Sequence, residues 1–281
     1  MLRARRSWLA VLLAVIAAVG AQGLLPTTSA DAAGQYISQE KGFDACTLPS
    51  TSAMQTWWTY SPYYNYYLYI GGSEKANCGG ATLSSSWITT VTNQGWDLVF
   101  IWVGPQMPST CSGRSWAYTI SLNTSTAYSQ GQNEAAAAYN KLVNLSVNVN
   151  NAPVVYDLEG YNGGSSCRAA AQSFMKGWAD QLALAPAQKS GTYGSACSSY
   201  IDDFASDGNP PDFVWPADWD GNPSTSSVSC VSSSHWIYNQ RHKQYRGGHN
   251  ETYGGVTINM DSDCANGPVY GNGGITDGTC A

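Results

Sequence analysis

Continuous apolar runs alternate with amphipathic stretches along most of this chain. Leu98-Val99-Phe100-Ile101-Trp102-Val103 is apolar throughout, as expected of a strand covered on both faces. Residues 66–70, closed by Gly71-Gly72, and residues 154–159 read the same way, with a shorter strand over 42–46 ahead of them. Between these runs the spacing becomes helical. One helix is predicted over 52–58. A second follows Ser84 as its cap, turns Trp87, Ile88 and Val91 to one side and stops at Gly95. An alanine-rich helix over 126–145 and another from 168 to 184 come next. The second half repeats the rhythm with strands over 190–194, 212–217, 235–240 and 255–261 and a short helix over 199–205. Eight strands in alternation with helices predict an α/β fold, a single (β/α)8 TIM-type barrel occupying residues 33–281.

That architecture gives the acids a meaning. Asp44, Asp157, Glu159, Asp218 and Asp261 each close a predicted strand, and barrel enzymes carry their chemistry at the carboxyl ends of the strands. Asp157 and Glu159 are two apart, so in an extended strand they share a face with Cα atoms about 6.5 Å apart. Like charges held that close raise the pKa of one partner and set a proton donor beside an anion. Glycosidic bond cleavage uses such a pair, and close spacing favours retention by a covalent or substrate-assisted route. A lone Asp-x-Glu is more often a surface pair; its position after a hydrophobic strand is what changes the reading.

Residues 1–32 stand outside the predicted barrel. Arg3, Arg5 and Arg6 precede an apolar run, and Ala30-Asp31-Ala32 offers small residues for cleavage before Ala33, the pattern of a secretory signal peptide. Export is expected, by either the general or the twin-arginine route. The eight cysteines lack C-x-x-C spacing, so in an exported chain they predict disulfides rather than zinc. Sequential pairing, Cys46 with Cys78, Cys111 with Cys167, Cys197 with Cys230 and Cys264 with Cys280, would staple neighbouring loops at one end of the fold. Only 11% of the 281 residues are charged, and the net charge is −6. An acidic chain without basic clusters disfavours nucleic acid and anionic membrane surfaces as partners. Eighteen tyrosines and 11 tryptophans against 5 phenylalanines supply rings with a flat face and a polar tip, which suit sugars as well as cores.

Gly-Phe-Asp-Ala-Cys at 42–46, Tyr-Ile-Gly-Gly at 69–72, Gln-Gly-Trp-Asp-Leu-Val at 94–99, Tyr-Asp-Leu-Glu-Gly-Tyr at 156–161 and Gly-Gly-Val-Thr-Ile-Asn-Met-Asp at 254–261 resemble the glycoside-hydrolase-like domain found in secreted actinobacterial proteins. The resemblance covers nearly the whole chain after residue 32. That family is similar in turn to the family 25 lysozymes, β/α barrels that cut peptidoglycan. The similarity matches Asp44 to the acid closing their first strand and Asp157 and Glu159 to the pair on their fourth. It implies Glu159 as general acid/base and Asp157 as the anionic partner that stabilises or positions the sugar. Asp44 and Asp261 would orient them, although Asn259 shares a face with Asp261 and could take its place.

Other residues have weaker claims. Tyr69, Trp102, Tyr161, Tyr193 and Trp215 fall at or near strand ends where they could stack on sugar rings, with core packing as the plainer role. Asp218 and Gln240 could hydrogen-bond a sugar. His235, His242 and His249 lack metal-site spacing, and Asp261-Ser-Asp263 does not fit a calcium loop, so no metal or cofactor is expected. The expectation is a secreted, monomeric protein acting on cell-wall glycan. A non-catalytic, wall-binding barrel is the alternative.

Overall fold

The computed structural model describes residues 33–273 and 278–280; the predicted signal peptide lies outside them. Nine strands and five α-helices follow in order. These are β1 (Gly34–Ser38), β2 (Lys41–Asp44), α1 (Thr51–Tyr60), β3 (Asn65–Gly71), α2 (Ser85–Gln94), β4 (Asp97–Trp102), α3 (Ser109–Ser112), α4 (Thr124–Asn144), β5 (Pro153–Asp157), α5 (Ser165–Leu182), β6 (Lys189–Ser195), β7 (Phe213–Ala217), β8 (Arg241–Tyr253) and β9 (Val256–Gly271). Strands β2 to β8 pair in parallel with their neighbours, and β9 closes the barrel by pairing antiparallel with both β8 and β2.

Period-two alternation sorts each strand between two cores. Val99, Ile101, Val155, Tyr67, Phe213 and Trp215 point inward and fill the barrel. Leu98, Phe100, Trp102, Val154 and Tyr156 point outward beneath the helices. Helix starts follow local chemistry: Ser50, Ser84 and Asn123 cap α1, α2 and α4 by accepting a backbone N–H. Gly95 ends α2 in the left-handed region, φ 106°. Helices α4 and α5 approach so closely that a Cβ at Gly131 would lie 2.0 Å from the Phe174 carbonyl oxygen, and one at Gly177 would lie 2.1 Å from that of Tyr128.

The barrel closes differently from the predicted eightfold repeat. Residues 235–240, predicted as the seventh strand, form turns with positive φ at Trp236 and Asn239, and Tyr238 is 80% exposed. The actual strand, β8, begins at Arg241 and is mostly polar; hydrophobic patterning favoured the wrong segment. Arg241 fastens the preceding turn by donating to the carbonyls of His235 and Ser232. The eighth barrel strand, predicted over 255–261, runs from Val256 to Gly271 and returns antiparallel through a Gly254-Gly255 turn, the positive-φ pair a tight hairpin needs. No α-helix separates β7 from β8. At the end where the parallel strands begin, β1 pairs with the last residues of β9, and Tyr270 reaches Leu98 of β4.

All four disulfides join cysteines in sequential pairs. They do not cluster at one end. Cys264 sits opposite Lys41, the first residue of β2, so its bridge to Cys280 lies at the foot of the barrel, whereas Cys46, Cys111 and Cys197 follow strands at the mouth.

Candidate active site

Asp44 ends β2 and Asp157 ends β5, which places both at the mouth, with Glu159 two residues beyond the strand. Asp261 does not close a strand. It lies within β9, directly opposite Asp44, because the antiparallel return brings it to the same level. Asp263, two residues on, faces inward as well. Asn259 does not join them: its side chain is exposed and donates to Asn250 across the hairpin at 2.9 Å.

Gln244 on β8 links the acids. Its Nε2 donates to Asp44 Oδ2 at 2.7 Å and to Asp261 Oδ2 at 3.3 Å. Its Oε1 accepts from Tyr193 Oη and Trp219 Nε1, both at 2.9 Å. Tyr69 Oη donates to the other oxygen of Asp44 at 3.1 Å, and Trp215 Nε1 donates to Asp263 at 3.0 Å. Gln106 fixes the Asp-x-Glu turn from both sides, donating to the Asp157 carbonyl at 2.7 Å and accepting from the Glu159 N–H at 2.9 Å.

Burial decides the protonation of most of these acids. It pushes Asp44 up to about 8, with the neighbouring Asp261 charge adding to the effect. Asp157 is raised well above the usual range by burial, then by Glu159 and Asp44. Burial also raises Asp261 and Asp263. Glu159 is placed differently. Its carboxylate is 37% exposed and pairs with Arg114 Nη1 at 3.0 Å. The buried member of the pair, Asp157, is thus the one driven toward the neutral acid.

A cleft of about 390 Å³ opens above this cluster, lined by Glu159, Arg114, Tyr193, Ser198, Asp218 and Trp219 among others. Asp44 and Asp157, 3% and 5% exposed, lie beneath it and not in its wall. Asp218 reaches the cleft but is held there, accepting from Ser229 N at 2.7 Å, with Lys243 Nζ at 3.9 Å.

Three sequence candidates lie elsewhere. Trp102 points out of the barrel, and its Nε1 donates to Glu134 of α4 at 2.6 Å. Tyr161 is buried in the outer core against Tyr200, ring centroids 5.4 Å apart. Gln240 precedes β8 and donates to the Asp212 carbonyl at 2.7 Å, at the foot of the barrel, because the strand expected to end on it does not form there. Trp215 is inside, as part of the barrel core. Gln244, Gln106, Arg114 and Trp219 were not singled out from sequence, since each sits in a polar or loop segment without periodic signal. Asp263 had one, its two-residue spacing from Asp261. Among the described residues no group of three or more His, Cys, Asp or Glu side chains could hold a metal ion.

The closed β/α barrel places the chain in the class of glycoside-hydrolase-like barrels. The profile of the Rv2525c-like, glycoside hydrolase-like domain matches residues 55–265, and the chain belongs to that family. Asp157, Glu159 and Asp261 fall within the matched segment, and Asp44 precedes it. Among solved structures, the Tat-secreted protein Rv2525c of Mycobacterium tuberculosis, in complex with L-tartrate, superposes with TM-score 0.53 at 14% identity, covering 81% of this chain and 96% of that one. An uncharacterized B. stearothermophilus protein gives TM-score 0.52 at 14% identity, over 80% and 95% of the two chains. A family 25 glycosyl hydrolase from Bacillus anthracis gives 0.49 at 13%, over 81% and 89%. No curated protein matches the sequence.

Proposed function

We propose that the protein is an exported glycosidase acting on cell-wall glycan of the peptidoglycan type. The observation that carries the reading is the Asp157/Glu159 pair: one carboxyl is buried and driven toward its neutral form, while the other stands in an open cleft. Environments that push two carboxyls apart in this way define acid and base roles. Glu159, the member a sugar can reach, protonates the leaving glycosidic oxygen as the anomeric C–O bond breaks. Water then adds to the anomeric carbon and returns its proton to Glu159. Asp157, with Asp44 and Asp261 behind it, stabilises and positions the sugar. Burial favours the proton on Asp157; passing it to Glu159 as the sugar binds leaves Asp157 as the anion beside the developing oxocarbenium-like centre and supplies the proton that Glu159 gives to the leaving oxygen. Tyr193 and the exposed Trp219 supply ring faces for stacking. Four disulfides favour an oxidising, extracellular setting, in keeping with the leader pattern. The protein acts as a monomer and needs no cofactor.

A second reading, a wall-binding barrel without turnover, is favoured by the burial of Asp44 and Asp157 beneath the cleft. Incubation of the chain from residue 33 with peptidoglycan and chitin fragments separates the two. Release of new reducing ends, abolished in Glu159→Gln, is the expected result; binding without release would establish the second reading instead.

A further inference from the structure

Arg114 has no role in the chemistry outlined above, yet it stands in the same cleft as Glu159. Its backbone is held firmly. The Arg114 N–H donates to Ser112 Oγ at 3.2 Å, and that hydroxyl donates back to the Arg114 carbonyl at 3.2 Å. The turn of helix just ahead of it, α3, is tied to α5 by the Cys111–Cys167 disulfide. From this anchored loop a guanidinium, 59% exposed, reaches Glu159 through Nη1 alone. Among the described residues its Nε and Nη2 make no other hydrogen bond. Arg114 is also the one cation among the residues that line the cleft. A planar fork of donors with one prong engaged and the rest facing open space suits bidentate capture of a carboxylate.

We propose that Arg114 determines specificity, selecting glycans whose sugar in this cleft carries a free carboxylate, and that binding such a sugar draws Arg114 away from Glu159. This inference rests on the glycosidase reading and names the substrate class for that site. Two features of the cleft admit an anion despite its acidic neighbours. Asp218 is already engaged by Ser229 N and Lys243, and the acids below are buried, Asp44 among them with its pKa pushed up to about 8. Glu159 is therefore the main competitor for the guanidinium, and an exposed pair of this kind is weak enough to be exchanged. Once Arg114 has turned to the substrate, Glu159 is free to carry the proton that the leaving oxygen needs. Recognition of the charged sugar and arming of the acid become one event.

Two chemistries present such a carboxylate: a muramyl residue without its stem peptide, and a uronic acid residue. The test compares wild type, Arg114→Gln and Arg114→Lys, each confirmed as folded by circular dichroism. The probes are a chitooligosaccharide, a peptide-free muramyl–glucosamine oligomer, the same oligomer with its carboxyl amidated, and an oligouronate. Wild type is expected to prefer the free-carboxylate muramyl oligomer over the amidated one by about tenfold in kcat/KM, as one charge-assisted contact would give. In Arg114→Gln that ratio should fall toward one, and Arg114→Lys should recover part of it. Comparable preference for the oligouronate would make the carboxylate alone the recognised feature; failure to take it would assign the muramyl residue as the source. Equal treatment of free and amidated oligomers by wild type, or an unchanged ratio in Arg114→Gln, overturns the inference while leaving the glycosidase reading intact. If wild type neither binds nor cleaves any of the four, the glycosidase reading falls and takes this inference with it.

Discussion

Gln244 Nε2 lies 2.7 Å from Asp44 Oδ2, a buried bond between residues 200 positions apart. It ties the last parallel strand of the barrel to the first, across the antiparallel β9. The same amide serves Asp261, and its oxygen serves Tyr193 and Trp219. Gln244→Leu takes one donor from each of two carboxyls and the acceptor from a tyrosine. Each buried polar group so orphaned costs about 1–3 kcal/mol. A loss within or above that range is expected in urea denaturation. Gln244→Glu adds an acid to the cluster and should be destabilised most at neutral pH, recovering in part on acidification.

Stability should fall as pH rises from about 4 to about 8. Unfolded aspartates ionise near 3.9, at about their reference value, whereas burial pushes Asp44 up to about 8 and raises Asp157, Asp261 and Asp263. Within that window the folded chain holds protons that the unfolded chain has already lost, so the stability these groups contribute is complete below the window and is lost as pH climbs through it. Asp44→Asn removes one such group. Denaturation midpoints measured at pH 5, 6.5 and 8 at fixed ionic strength should then show a shallower decline than wild type, and an identical slope would contradict the assignment of the proton.

The contact of α4 with α5 tolerates no side chain at its crossing. Gly131→Ala and Gly177→Ala each force a methyl group toward a backbone carbonyl only about 2 Å away. Backbone cannot swing aside as a flexible side chain can, so overpacking of about 1–3 kcal/mol or more is expected for either change. Thermal melts would register it as a clear drop in midpoint, larger than that for alanine at the exposed Gly208, where the nearest atom to an added Cβ is 3.9 Å away.

Removing the Cys111–Cys167 bridge, which spans 56 residues, should cost about 2–5 kcal/mol. It also frees the segment that carries Arg114. With Cys111→Ser/Cys167→Ser, stability should fall, and any discrimination between charged and neutral glycans should weaken at temperatures where the fold survives. The corresponding double change at Cys264 and Cys280, at the opposite end of the barrel, should lower stability without altering that discrimination.

Much of this structure was legible in the sequence because the informative residues were hydrophobic or conformationally constrained. Leu98 to Val103 could hardly be anything but a covered strand, and Ser84 and Gly95 marked a helix by cap chemistry alone. The acids at the ends of β2 and β5 followed once the strands were placed. What escaped was polar. Strand β8 buries His242, Lys243 and Gln244, each bonded to a partner distant in sequence, so no alternation betrayed it. The apolar stretch around Trp236 stood in for it, and Gln240 was drawn to the wrong end of the barrel. Arg114 and Gln106 sit in a long loop whose path is set by proline and a disulfide, features that fix geometry without announcing which side chain will face the cleft. Trp102 illustrates the remaining limit: being at a strand end was readable, but its outward orientation depended on the register of the whole strand.

The hairpin of β8 and β9 continues past the level of Asp44 to the turn at Gly254-Gly255, and it leans on α1, where Trp57 Nε1 donates to the Val256 carbonyl. Its lower part holds acids, and its upper part rests on α1, with the Tyr253 ring 5.1 Å from that of Trp57. Residues added in pairs at the Gly254-Gly255 tip would therefore lengthen the ribbon beyond α1 while every group on the barrel floor kept its facing.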